Sequence, residues 1–488
     1  MNQKDARLGG ILMPVGSLPS RYGVGSFGKE AYEFVDILAA MGAKIWQILP
    51  LNPLSFGNSP YQPYSSYAGD ELYIDLDKLA EVGLLPKHRP AYRPEDKSKV
   101  DFQKVRAFKE PYLRRAYAAF CRRRKKDKAA FFEFCKQPWV YPYGVFIALK
   151  QRNGMRCWNE WPREEQDWSV DHKFDLTDLK DEIDYRMFLQ YIFYTQWMDL
   201  KAYANGKGLQ IMGDMPFYVG LDSLDVWMGR DNFLLDEDGR PTFIAGVPPD
   251  YFSATGQRWG NPIYNWEKME SDGFTFWLER LGYNSKLYDI VRIDHFRAFD
   301  TYWKIPASCP TAIDGAWIEA PGYALFDKIY ETMPDIQIVA EDLGDLRPEV
   351  LVLRDHYHLS GMYVAQFSLP KLVPEENNAA YTGTHDNDTA RGWSEKQDAN
   401  FRRRVARKLR PYGEAREAMS RKMVRFVLAS KASVAIVPLF DVLNLGSESR
   451  LNTPGTVGSP NWEWRISSFK AVYDQVDWVK EAMQSSGR

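Results

Sequence analysis

Eight short apolar runs, spaced along the whole chain, limit its possible folds more than any other feature. They fall at residues 10–15, 44–49, 209–212, 289–293, 337–340, 361–367, 380–382 and 433–439. Most are continuous rather than alternating, the pattern of strands buried on both faces. Helical patterns lie between several of them: GKEAYEFVDILAAMG follows the first and FTFWLERLGYNSKLY precedes the fourth. Alternation of strand and helix predicts a parallel α/β sheet, and eight units predict closure into a (β/α)8 TIM barrel. Length alone would suggest about three domains, but barrels with insertions run past roughly 400 residues as one unit. A single barrel over residues 1–488 is therefore expected.

The spacing of the runs is uneven. Between residues 49 and 209 lies far more chain than one crossover helix needs. Residues 65–205 are mostly helical in pattern and rich in charge and aromatics, so they read as an inserted helical subdomain. Residues 215–272, between the third and fourth strands, are Gly/Pro-rich and poor in periodicity, as befits a long active-site loop or lid. After the last strand comes a Pro/Gly loop and a short helix, with no pattern for a C-terminal β-domain.

Three of the strands run into carboxylates. DIVRIDHFRAFD stops an apolar run on Asp294, with Arg292 two residues earlier and so on the same face. An Arg beside an Asp favours the ionised form and would lower its pKa. DIQIVAEDLGD ends on Glu341 and Asp342, and AAYTGTHDNDT ends on Thr384, His385 and Asp386. Taken singly, these are equally well a structural ion pair, a helix cap and turn chemistry. Together, acids at the carboxyl ends of three barrel strands stand where the active sites of such barrels gather. Glycosidic chemistry needs this set, with one carboxylate to attack the sugar carbon and a second, held protonated by burial or a neighbouring charge, to protonate the departing oxygen. Aromatic loops add surfaces on which sugars stack: Tyr61 in SPYQPYSSYAGD, and Asp250, Trp259 and Asn261 in PPDYFSATGQRWGNPIYNW. Asp214, at the end of the third strand, could orient a substrate hydroxyl or cap the next turn.

Composition excludes other classes. A formal net charge of −2 gives no global field toward nucleic acid or an acidic membrane. The basic runs at residues 122–126 and 402–404 read as solvated helix faces. Four cysteines without paired spacing argue against a zinc site or disulfide framework, and the six histidines show no ligand spacing beyond His356 and His358. The polar start MNQKDARLGG lacks a signal-like apolar stretch, so a cytoplasmic protein is expected.

The ordered motifs NSPYQPYSSYAGD, GDMPFYV, GQRWGNPIYNW, VRIDHFRAF, AEDLG, GTHDNDT and NTPGT…NWEWR run over nearly the whole chain. In these the chain resembles the 4-α-glucanotransferases known as amylomaltases or disproportionating enzymes, relatives of the α-amylases. The resemblance implies a barrel with inserted subdomains and retaining transfer of α-1,4-glucan segments. Donors would be maltooligosaccharides or starch-like glucans, and acceptors the free 4-hydroxyl of glucose or another glucan. It implies no cofactor and no metal. Asp294 would be the nucleophile, Glu341 the general acid/base and Asp386 the transition-state stabiliser. Arg292 and His385 would be their partners, and Trp259 part of a cover over the acceptor side. For His385 to share the face of Asp386, the strand must already have ended. Ala298 departs from an expected Gly and Phe440 from a usual Gln. Hydrolysis of the same bond, or a non-catalytic glucan-binding barrel, are the alternatives.

Overall fold

The computed structural model describes residues 7–249 and 253–488, and among these there are twelve strands. In chain order they are β1 (Leu8–Leu12), β2 (Ile45–Gln47), β3 (Gln210–Met215), β4 (Phe243–Val247), β5 (Gln257–Pro262) and β6 (Ile290–Ile293). They continue with β7 (Thr301–Pro306), β8 (Ala316–Glu319), β9 (Ile338–Ala340), β10 (Gly361–Val364), β11 (Asn378–Tyr381) and β12 (Val434–Pro438). Eight of them form one sheet in the order β10-β11-β12-β1-β2-β3-β6-β9, parallel throughout. A parallel bridge from Val339 in β9 to Ser360, just ahead of β10, brings the two edges together. The chain is thus a (β/α)8 barrel, and each of the eight apolar runs overlaps one of its strands.

The strands are short because apolar side chains fill both faces. Every residue of β2, β6, β9, β10 and β12 is buried. Glycines allow the closest approaches inside this wall. A Cβ on Gly213 would run into the Tyr288 ring, and one on Gly10 would meet the carbonyl and Cβ of Ile45. The helix Lys29–Ala40 follows β1 and the helix Thr275–Leu287 precedes β6, on the segments whose periodicity predicts them. Most strands differ by a few residues from their apolar runs, and two of the differences have a visible form. β10 stops at Val364 because the chain turns into the short helix Ala365–Ser368, and β11 begins at Asn378.

Between β2 and β3 the chain forms helices including Phe102–Cys121, Val140–Arg152 and Lys180–Gly206. The last of these also serves the barrel wall, since Trp197 Nε1 donates to Leu287 O at 3.1 Å. The described residues of 215–272 form more regular structure than their sequence suggests. They contain β4 and β5, which join β7 and β8 in a four-stranded antiparallel sheet of order β5-β4-β7-β8. Alternation is obscured there by Gly246, Gly260 and Pro262, and half of the sheet comes from beyond β6. Among the described residues no strand follows β12, and no helix is long and apolar enough to cross a membrane.

Candidate active site

Strand register assembles the site. In the β3–β6 pair Asp214 stands opposite Arg292, and in the β6–β9 pair Ile293 stands opposite Ala340. Asp294 and Glu341 therefore leave adjacent strands side by side. The backbone fixes both: Asp294 N–H donates to Met215 O, Glu341 N–H to Ile293 O, and Phe296 N–H to Glu341 O, each at 3.0 Å.

One line of polar contacts crosses the mouth of the barrel. Arg292 Nη1 donates to Asp294 Oδ1 at 3.1 Å, and to Asp214 Oδ1 and Oδ2 at 2.6 and 2.8 Å. Tyr61 Oη donates to Asp214 Oδ2 at 2.8 Å and lies 3.4 Å from His385 Nδ1. The Tyr61 and His385 rings stack at 5.1 Å, and His385 Nε2 is 3.5 Å from Asp386 Oδ1. Strand β11 ends at Tyr381, four residues before His385, so alternation no longer governs that loop. Asp294 and Asp386 keep 31% and 44% of their side chains open, which leaves both carboxylates accessible from the mouth.

Electrostatics differentiates the acids. Burial pushes Glu341 up to about 8, and the neighbouring Asp294 carboxylate adds to the rise. Arg292 does depress Asp294 as expected, but the net shift is upward. Burial dominates and raises Asp294 to about 6, and Arg292 offsets it only in part. The reason lies in the geometry, because the guanidinium sits closer to Asp214, itself buried, than to Asp294. At neutral pH the proton consequently resides on Glu341 while Asp294 is ionised.

Trp259 lies beside the acids. Its ring meets His295 edge-to-face at 4.9 Å, directly beside Asp294, and its carbonyl accepts from Gln62 Nε2 at 3.3 Å. Asn261 stands apart from the cleft: it is 5% exposed, and its Nδ2 donates to Val219 O at 2.9 Å, joining β5 to the chain beyond β3. Asp250 lies outside the described residues. Ala298 and Phe440 are both buried in the core, Phe440 edge-on to Trp464.

Several residues hold the acids through contacts that no local sequence pattern foretells. His295 adopts a left-handed backbone (φ 52°) that turns its N–H onto Glu341 Oε2 at 2.8 Å. Asn452 Nδ2 donates to Asp386 Oδ1 and Arg450 Nη2 to Asp386 O, both at 2.7 Å. Asp441 is 1% exposed and accepts from Thr382 Oγ1 and from Ala390 N–H, each at 2.6 Å, gripping both ends of the segment that carries His385 and Asp386. The supports of the β11 loop lie some 50–65 residues downstream of it. Asp342 also proves structural, accepting from Met362 N–H and Arg354 at 2.6 Å. Among the described residues no group of three or more His, Cys, Asp or Glu side chains could hold a metal ion.

Comparison with known proteins places this geometry. A family model described as 4-alpha-glucanotransferase matches residues 13–471. A 4-alpha-glucanotransferase of Thermus thermophilus is 42% identical over 476 residues, covering 94% of each chain. One from Aquifex aeolicus is 40% identical over 497 residues, covering 99% of each. The structure of amylomaltase from Streptococcus agalactiae in complex with acarbose superposes with a TM-score of 0.94, at 35% identity over 99% of both chains.

Proposed function

The chain belongs to the 4-alpha-glucanotransferase family, enzymes that transfer α-1,4-glucan segments, and on that premise we propose a double displacement centred on Asp294 and Glu341. Asp294 attacks the anomeric carbon as the C–O bond to the leaving chain breaks, and Glu341 gives its proton to the departing oxygen. The acceptor's 4-hydroxyl then forms a new bond to that carbon. Its proton passes to Glu341, and the ester to Asp294 breaks. Two inversions leave the configuration retained. Asp386, open to the mouth and oriented by Asn452, opposes the positive charge that develops on the ring. Tyr61, His385, Arg292 and Asp214 hold the two open carboxylates in register, and Trp259 offers an aromatic wall to the sugar bound beside Asp294.

The observation that carries this reading is the side-by-side exit of Asp294 and Glu341 from adjacent strands, where burial raises Glu341 further than Asp294. Maltooligosaccharides serve as donors, and glucose or another glucan as acceptor. Hydrolysis would use the same carboxylates with water in place of the sugar hydroxyl. Incubation with maltotriose separates the two, because transfer yields longer maltodextrins plus glucose and hydrolysis only shortens the substrate. Asp294→Asn should reduce turnover on the order of 10⁴-fold or more while glucan binding persists. Near-normal turnover of that variant would remove the nucleophile assignment, and shortening alone would make the protein a hydrolase.

A further inference from the structure

The basic run at residues 402–404 belongs to the helix Ala399–Leu409, and the catalytic cleft makes no use of it. That helix carries Arg402, Arg403, Arg404, Arg407 and Lys408 and no acid, in a chain whose formal net charge is −2. Val405 and Leu409 anchor it in the core. Asp398 caps its start and commits its carboxylate to the N–H groups of Asn400 and Phe401. Arg403 folds back onto its own helix, donating to Ala399 O and Asn400 Oδ1. Arg404, Arg407 and Lys408 stand three and four residues apart, so they rise from one face. Among the described residues none of these three forms an ion pair or a side-chain hydrogen bond. The helix dipole favours cations in the last turn, which accounts for Arg407 and Lys408 but not for their meeting Arg404 around a hollow.

The three cations line that open hollow, of about 510 Å³, together with Pro370, Pro411 and Tyr412. Pro370 lies just past the short helix Ala365–Ser368, and Pro411 and Tyr412 lie in the turn Arg410–Tyr412 that follows the basic helix. The Tyr412 ring is held edge-on by buried Phe426, with centroids 5.2 Å apart at 82°. One wall is therefore cationic and the other largely apolar, and no carboxylate is in the lining. Small-molecule sites run to about 300–1,000 Å³, and this one has room for more than a bare oxyanion.

We propose that this hollow binds a sugar phosphate, at a site that shares no lining residue with the catalytic cleft. A phosphate monoester carries about two negative charges at neutral pH and three strong acceptor oxygens. Arg404 and Arg407 meet those oxygens with planar forks and Lys408 with a point charge. A lone carboxylate would neutralise only one cation of the three. The C–H face of the sugar lies against Tyr412 and the two prolines.

Calorimetric titration of the full chain with glucose 1-phosphate tests it. Saturable one-site binding is expected, weakening as salt rises. Inorganic phosphate, which lacks the carbon body, should bind several-fold more weakly. Arg404→Gln and Arg407→Gln should each weaken glucose 1-phosphate binding by roughly tenfold, the range of one charge-assisted contact. Both side chains lie on an exposed helix face, so the thermal midpoint should hold and maltotriose turnover without added phosphate should stay within twofold. The absence of saturable binding at millimolar concentrations overturns the site. Equal binding by Arg407→Gln and wild type also overturns it, since the ligand would then sit elsewhere, as in the cleft. Equal affinity for inorganic phosphate and glucose 1-phosphate overturns the assignment to a sugar phosphate.

Discussion

At Glu341 the strongest influence is burial and the next is the Asp294 carboxylate, and both favour the protonated form. At Asp294 burial competes with Arg292, and the balance settles lower, near 6. The sign of each limb follows. In the proposed displacement Asp294 attacks ionised, so activity should fall as pH drops through about 6, and Glu341 gives up a proton, so activity should fall as pH rises through about 8. Because the two groups interact, the limbs of a kcat/KM profile belong to the pair. Glu341→Gln should lose about 10²- to 10⁴-fold in turnover and lose the alkaline limb with it. The same substitution bears on stability. The folded state holds the Glu341 proton more tightly than the unfolded state, so this contribution is complete below the unfolded pKa and fades as pH climbs to about 8. The thermal midpoint of Glu341→Gln should therefore exceed that of wild type at pH 9 and approach it at pH 5. A lower midpoint at pH 9 would contradict the placement of this acid.

At the scale of elements, the loop beyond β11 depends on a residue beyond β12. Asp441 has no cation within ion-pairing distance among the described residues, and burial raises it to about 7. Its two hydrogen bonds set the ends of the Thr382–Ala390 span in place. Asp441→Ala leaves the Thr382 hydroxyl and the Ala390 N–H without that acceptor, at a cost of about 1–3 kcal/mol each if they stay buried and unpaired. The expected signature is a fall in kcat that exceeds any rise in KM, since in the proposed displacement Asp386 acts on the transition state. Thr382→Val should give a smaller version of the same effect, and full activity in both variants would show the grip to be dispensable. Within the barrel wall, Gly213→Ala should destabilise by about 1–3 kcal/mol, because the new methyl meets the Tyr288 ring. Chemical denaturation reads this directly, and an unchanged midpoint would mean the ring can yield.

Across the whole molecule, β1 and the C-terminal Arg488 meet at one seam. The Arg488 guanidinium donates to the carbonyls of Leu428, Ser430, Ala432 and Leu8, from 2.6 to 3.1 Å, where β12 and β1 pair in full register. Arg488→Ala should lower the thermal midpoint and leave kcat intact, as the seam opens at the end of the barrel remote from the carboxylates. A matching loss of kcat would show that closure there is felt at the mouth. Much of this architecture is legible in the sequence because its cause is local. Eight apolar runs too short for helices must pair, and carboxylates at their ends must fall on one rim whatever the insertions do. Asp294, Glu341 and Asp386 are therefore readable in advance. The second sheet is not, because glycines interrupt its period and its strands come from both sides of β6. Nor is the balance of charge at Asp294. Local pattern alone puts these acids at the rim. Closure of the fold is what leans Arg292 toward Asp214, turns the His295 N–H onto Glu341, and lets Asn452 and Asp441 steady Asp386. Those contacts join residues far apart along the chain, and burial, which sets the pKa values, exists only once the barrel has closed.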